Sequence, residues 1–131
     1  MDKTFILKIV APGKPVETLE IESFTTKTND GEIEINKDHA PIVASIIPTI
    51  SVINHEERRE KIFTSYGMLY IEDNVLYICC DTFERENDID LSRAQRAKER
   101  AEERLKNKSS IDIDRANKAL ERAKARLRIN N

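Results

Sequence analysis

From Phe5 to Cys80 the chain is a succession of short apolar or alternating runs, each bounded by turn residues. Phe5 to Val10, Ile42 to Ile47 and Val75 to Cys80 are rich in β-branched side chains, which suit a pleated, half-buried surface. Val16 to Thr26 sets Val16, Leu19, Ile21 and Phe24 among Glu17, Glu20, Glu22 and Thr25, and predicts one or two strands. Glu32-Ile33-Glu34-Ile35 alternates cleanly and puts both isoleucines on one face. Ile50 to Asn54, Lys61 to Tyr66 and Met68 to Glu72 complete the set. The punctuation between them is Ala11-Pro12-Gly13-Lys14-Pro15, Asn29-Asp30-Gly31, a loop from Asn36 to Pro41 containing His39, Pro48, and a tight hairpin turn at Glu72-Asp73-Asn74. About nine short strands joined by brief turns predict an antiparallel sandwich or flattened barrel.

The period changes after Asp81. Phe83 to Asp88 reads as a junction, and two helices follow, joined by Asn107 to Ser110. Each helix opens on the same phrase, Ile89-Asp90-Leu91-Ser92-Arg93-Ala94 and Ile111-Asp112-Ile113-Asp114-Arg115-Ala116. Asp is a preferred N-cap, because its carboxylate accepts from an orphan N–H of the first turn. The isoleucine before it can staple onto the alanine at N4. Beyond each phrase an apolar stripe recurs at helical spacing: Ala94, Ala97, Ala101 and Leu105, then Ala116, Ala119, Ala123 and Leu127. The fold class is therefore α+β, a β-domain followed by an antiparallel two-helix hairpin.

Capping does not account for the arginine of the phrase, since a cation in the first turn opposes the helix dipole. Beside each apolar stripe runs a row of arginines, Arg93, Arg100 and Arg104, then Arg115, Arg122 and Arg126. With the alanine stripes facing in an antiparallel pair, both rows are expected on one face. Convergent guanidiniums there would fork onto phosphate oxygens; a solvated charged face laced with i,i+4 pairs is the plainer alternative.

Charge sharpens the contrast between the two parts. The net charge of the 131 residues is −2, yet residues 1–88 hold 9 Lys/Arg against 17 Asp/Glu, and residues 89–131 hold 13 against 7. A basic tail on an acidic body could meet nucleic acid, a nucleotide, an acidic protein surface or the body itself. The acidic body and the lack of an aromatic stacking platform make a nucleic-acid module the weaker reading. No apolar run approaches the ~20 residues that span a bilayer, and the N-terminus lacks a signal-peptide pattern. Cys79 and Cys80 are adjacent, so a strand turns them to opposite faces and a disulfide between them is geometrically poor. They are expected to be buried thiols of a reduced, cytoplasmic protein. Neither a metal-ligand set nor a catalytic constellation stands out: His39 and His55 are far apart in sequence, no Ser or Cys sits in a nucleophile motif, and there is no phosphate loop.

Several motifs combine end to end: Gly31-Glu32-x-x-Ile35, then His39-Ala40-Pro41, Gly67 opening the strand pair that ends at Cys80, Asp81-Thr82-x-Glu84-Arg85, and Ile89-Asp90-x-x-Arg93-Ala94. On these residues the chain closely resembles the ε subunits of F-type ATP synthases. It departs from their pattern at Glu34, where the family usually has Gly, and at Asn36 and Lys37, which replace a Pro-containing loop.

The resemblance implies a ten-stranded antiparallel β-sandwich over residues 1–86 and an α-helical hairpin over residues 87–131. It implies a non-catalytic subunit of a proton- or sodium-translocating synthase, on the inner face of the bacterial membrane and touching the membrane only indirectly. The sandwich would sit on the central stalk against the γ subunit and the c-ring, with Glu32 and His39 as its contact residues. The subunit would couple rotation and regulate ATP hydrolysis through two hairpin states. Extended, the hairpin would inhibit by offering Lys118, Arg122, Lys124, Arg126 and Arg128 to an acidic loop of the β subunits in the α/β hexamer. Folded, it would bind ATP as a regulatory ligand through Glu84, Ile89, Asp90, Arg93, Ala94, Arg100, Arg122 and Arg126. That ATP would not be hydrolysed, and Mg²⁺ would not be required. A structural stalk adaptor with a nucleotide-blind hairpin is the rival expectation.

Overall fold

The computed structural model describes residues 3–107 and 112–130. The interhelix joint at Lys108 to Ser110, Ile111 of the second phrase and Met1-Asp2 of the N-terminus lie outside the described residues. Ten strands come first: β1 (Phe5–Val10), β2 (Glu17–Ile21), β3 (Ser23–Thr28), β4 (Gly31–Asn36), β5 (Ile42–Ile46), β6 (Thr49–His55), β7 (Arg58–Thr64), β8 (Gly67–Glu72), β9 (Val75–Cys80) and β10 (Phe83–Arg85). A 3-10 turn (Glu86–Asp88) leads into α1 (Leu91–Lys106) and α2 (Ile113–Leu127), and a second 3-10 turn covers Arg128–Asn130.

The strands follow the order β10-β7-β6-β3-β5-β8-β9-β1-β2, with β4 off this path and paired along the whole of β3 from Ser23↔Asn36 to Thr28↔Gly31. Every pairing is antiparallel except β1 with β9, which run parallel from Ile6↔Val75 to Val10↔Cys79. That pair joins strands from opposite ends of the domain, so no local turn announces it. The sheet curls until its two ends meet, and side chains close the seam. Arg85 of β10 forms ion pairs with Glu17 of β2 and Glu60 of β7. Lys14 donates to the Phe83 carbonyl and lies 4.4 Å from the centre of the Phe83 ring.

Alternation places the core. Phe5, Leu7 and Ile9 of β1 are buried while the residues between them are half-buried. Leu69 and Ile71 of β8 meet Ile78 and Leu76 of β9 in register, all fully buried. Inside the core three hydroxyls satisfy one another, Thr26 to Ser51 at 2.8 Å and Ser51 to Thr64 at 2.7 Å. Gly67 pairs with Cys80 so closely that an added Cβ would lie 2.0 Å from the Cys79 carbonyl oxygen.

Four details differ from the sequence expectations. Cys79 is exposed and only Cys80 is buried, because the strand turns one of them outward. The β6–β7 hairpin begins earlier than Lys61 and turns on Glu56 and Glu57, both with positive φ (50° and 63°). That is the same primed turn geometry as Asp73-Asn74 (51° and 60°), built without Gly or Asn. Phe83 to Arg85 is no mere junction but a strand on β7, with Glu84 opposite Phe63. Finally, α2 buries Ala116, Leu120, Ala123 and Ala125, whereas the expected Ala119 and Leu127 remain half-exposed. The reason is that α2 lies between α1 and the sheet and needs two apolar faces. The single stripe read from sequence describes only one. By contrast α1 buries Ala94 and Ala101 and packs chiefly on α2.

Candidate functional site

Where β10 meets the hairpin, an open cleft of about 410 Å³ is lined by Glu84, Asp88, Asp90, Arg93, Ala94, Ala97, Arg100 and Arg126. Local structure fixes each contributor. Phe83 points into the core, so its neighbour Glu84 points out, towards α2. There Glu84 Oε1 accepts from Arg126 Nε at 2.5 Å. The guanidinium of Arg126 also lies 4.3 Å from the centre of the Phe63 ring, which is fully buried beneath it.

Asp90 caps α1, its Oδ1 accepting from Arg93 N at 3.0 Å, and also lines the cleft. Asp112 caps α2 the same way, accepting from Arg115 N at 2.9 Å. Arg93 and Arg100, two turns apart, project from the same side of α1. Ala94 and Ala97 form the floor, and their small side chains leave the volume open. Three arginines and three carboxylates around a space of this size suit a ligand that is anionic at one end and a hydrogen-bond donor at the other.

The remaining expected residues fall elsewhere. Ile89 is half-buried beside the cleft and does not line it. Arg122 is outside it, its guanidinium 5.9 Å from the Tyr66 ring centre and next to Lys118, whose Nζ is 5.8 Å from the same ring. Arg104 and Arg115 are exposed away from the cleft. The two arginine rows therefore do not share one face: the sheet draws Arg122 to itself and breaks the pseudo-twofold symmetry of the helix pair. Lys124 lies 4.0 Å from Glu121, and Arg128 is exposed at the end of α2. Glu32 is exposed near the start of β4, whereas His39 follows the far end of that strand, its Nδ1 donating to the Ala40 carbonyl at 2.7 Å.

Sequence reasoning passed over Asp88, Phe63 and Tyr66. In the structure Ile62, Phe63, Thr64 and Ser65 are buried without alternation, the mark of a strand covered on both faces. Among the described residues no group of three His, Cys, Asp or Glu is arranged to hold a metal. No described helix is long and apolar enough to cross a membrane.

With this geometry in hand, comparison with known proteins is decisive. The profile of the ATP synthase delta/epsilon chain beta-sandwich domain matches residues 4–86, and that of the delta/epsilon chain long alpha-helix domain matches residues 87–130. The chain belongs to the ATP synthase delta/epsilon family. Among relatives of this delta/epsilon chain, the ATP synthase epsilon chain of Clostridium botulinum (strain Langeland) is 44% identical over 103 residues, covering 78% of this chain and 77% of the relative. The ATP synthase epsilon chain of Clostridium novyi (strain NT) is 41% identical over 109 residues, covering 82% and 83%. Among solved structures, a chain of the Euglena gracilis mitochondrial ATP synthase (OSCP/F1/c-ring, rotational state 1) superposes with a TM-score of 0.79. It is 22% identical and is matched over 95% of this chain and 80% of that one. A chain of the Tetrahymena thermophila mitochondrial ATP synthase (central stalk/c-ring) gives 0.55 at 14% identity, over 64% and 68%. Family membership makes this delta/epsilon chain a non-catalytic subunit.

Proposed function

We propose that the chain is the ε subunit of the central stalk of a bacterial F-type ATP synthase, and that its folded hairpin binds ATP in the cleft as a regulatory ligand. The observation that carries this reading is the origin of the cleft walls. Glu84 comes from the sandwich, Arg93 and Arg100 from α1, and Arg126 from α2. A polyphosphate touching all three elements binds only while the hairpin is folded on the body. It shifts the equilibrium towards that state by its differential affinity and no further. The guanidiniums neutralise the phosphates, so Mg²⁺ is not required. Asp90 and Glu84 are the carboxylates available to the base and ribose.

Unfolded from the body, α2 would offer Lys118, Arg122, Lys124, Arg126 and Arg128 to an acidic loop of the catalytic β subunits and inhibit hydrolysis. Arg126 thus serves ligand or partner, never both. The sandwich supports a docking role. Val43, Tyr70 and Tyr77 stand in one register row across β5, β8 and β9, with Met68 in the next, and Val43, Met68 and Tyr70 are exposed. That apolar face suits the γ subunit. The turn and loop at the two ends of β4, with Glu32 and His39, would face γ and the c-ring. The subunit would sit peripherally on the inner face of the cell membrane.

The test is calorimetric titration of the full chain with ATP, with and without Mg²⁺, and with ADP. One-to-one binding that is lost in Arg93→Ala, with no ADP accumulating, is the expected result. No heat and no thermal shift at millimolar ATP would leave a stalk adaptor whose hairpin is blind to nucleotide.

A further inference from the structure

At one end of the sandwich Asn74 holds two elements besides its own. Its carbonyl accepts from Ile6 N at 3.0 Å, at the start of β1. Its side chain closes a reciprocal pair with Asp38, in the loop between β4 and β5. Asn74 Oδ1 accepts from Asp38 N at 2.7 Å, and Asn74 Nδ2 donates to Asp38 Oδ1 at 2.9 Å. Both residues are left-handed, with φ of 60° at Asn74 and 64° at Asp38. Gly is the easiest residue at the second position of a primed turn, but it could not reach the loop. Asn tolerates the same backbone and brings both an acceptor and a donor. The clasp therefore ties the β8–β9 turn to a loop 36 residues away in sequence.

That loop leads straight into the exposed apolar row of the sandwich. Ala40 and Pro41 are exposed, and Val43 follows them, exposed and opposite Tyr70. The end of the loop is stiff by itself. The proline ring fixes its own φ and keeps Ala40 from turning helical, and His39 Nδ1 donates to the Ala40 carbonyl. The clasp sets where this stiff end stands. On the neighbouring strand the Tyr70 hydroxyl donates to Glu72 Oε1 at 2.9 Å, two residues before Asn74. Turn, loop and apolar row are thus one continuous surface.

We propose that Asn74 is a positioning residue of the γ-docking face: paired with Asp38, it holds residues 37–41 in the one shape that extends the row of Val43 and Tyr70. The proposal rests on the reading of that face given above and deepens it. A loop that must find its shape before docking loses affinity in proportion to the time spent in other shapes. One side-chain hydrogen bond is worth about fivefold in such a population. Loss of the clasp therefore slows association, whereas loss of a contact on the face speeds dissociation.

The experiment uses the full chain and the α, β and γ subunits of its own synthase assembled without ε, with association and dissociation rates read by surface plasmon resonance. Thermal unfolding serves to confirm that each variant folds. Asn74→Asp sets a carboxylate against that of Asp38 while keeping a residue that tolerates positive φ. It is expected to slow association about fivefold and to leave dissociation unchanged. Asp38→Asn keeps both bonds and behaves as wild type. The double variant Asp38→Asn with Asn74→Asp rebuilds the pair with its polarity reversed, and association recovers. Val43→Ser instead speeds dissociation about fivefold. If Asn74→Asp associates as fast as wild type, or if the double variant does not recover, the proposal is overturned. If Val43→Ser binds like wild type, the reading of the face fails instead. Hydrogen exchange at the Asp38 amide then decides the clasp by itself: protection lost in Asn74→Asp and regained in the double variant supports it, and protection indifferent to both refutes it.

Discussion

The folded hairpin is held to the body near its C-terminal end, and Ile129→Ala measures that hold. Ile129 is 2% exposed between the exposed Arg128 and Asn130, and the turn that carries it packs on β7. Lys61 Nζ donates to the Ile129 carbonyl at 3.3 Å. Truncation to alanine removes three buried carbons, about 2.4 kcal/mol at ~0.8 each, and a residual cavity adds to the loss. The sandwich core is formed by other residues, so the cost falls on docking of α2 and not on folding of the β-domain. A loss of this size changes the docked-to-undocked ratio about sixtyfold. Hydrogen exchange reads it directly: amides of α2 exchange about sixtyfold faster, while those of β1, β8 and β9 keep their wild-type rates. On the proposed reading, ATP affinity would fall only once the undocked fraction becomes appreciable. Acceleration below about fivefold in α2, or equal acceleration throughout the sandwich, would refute this account of the anchor.

Three more outcomes follow from the structure. Gly67→Ala forces the Cys79 carbonyl to move, and is expected to cost about 2–3 kcal/mol and to lower the Tm of the β-domain by about 10 °C or more, as read by calorimetry. A thiol reagent should modify Cys79 promptly in the native chain and Cys80 only in denaturant; labelling of both or neither in the native state contradicts the exposure pattern. Burial pushes the Cys80 thiol from 9.0 up to about 11. Below pH 9 both native and unfolded thiols are protonated, and between about pH 9 and 11 the unfolded one ionises first. Stability from this group is therefore lost as pH rises through that window. Urea midpoints of wild type should fall there relative to those of Cys80→Ala, and parallel curves would show the thiol to be uninvolved.

Alternation made most of the β-domain legible, because each strand buries one face and exposes the other. What escaped notice was non-local. The parallel pairing of β1 with β9 depends on curling of the whole sheet, and the seam closed by Arg85, Glu17 and Glu60 depends on its two ends meeting. The Glu56-Glu57 turn has no residue that favours positive φ, so the strands on either side impose it. At the candidate site the capping phrase led to Asp90, Arg93 and Ala94, and seven-residue spacing led to Arg100. Spacing alone set Arg122 in one row with Arg126 and gave no sign of the Tyr66 ring beside it, which comes from the distant β7–β8 connection. The second buried face of α2, with Leu120 and Ala125, and Ile129 of the turn that follows it were hidden in the same way.

The antiparallel return of α2 gives the hairpin the mechanics of a lever. Its pivot is the 3-10 turn Glu86–Asp88, and Glu84, two residues before that turn, grips Arg126. The Arg126 fastening therefore lies close to the pivot. The tip, where α1 ends at Lys106, is 16 residues of helix away, about 24 Å. A modest tug at the tip acts through a long arm against a fastening with a short one. On the proposed reading, a contact at the tip, far from the cleft, would therefore act on the Arg126–Glu84 pair through a longer arm than the pair itself has.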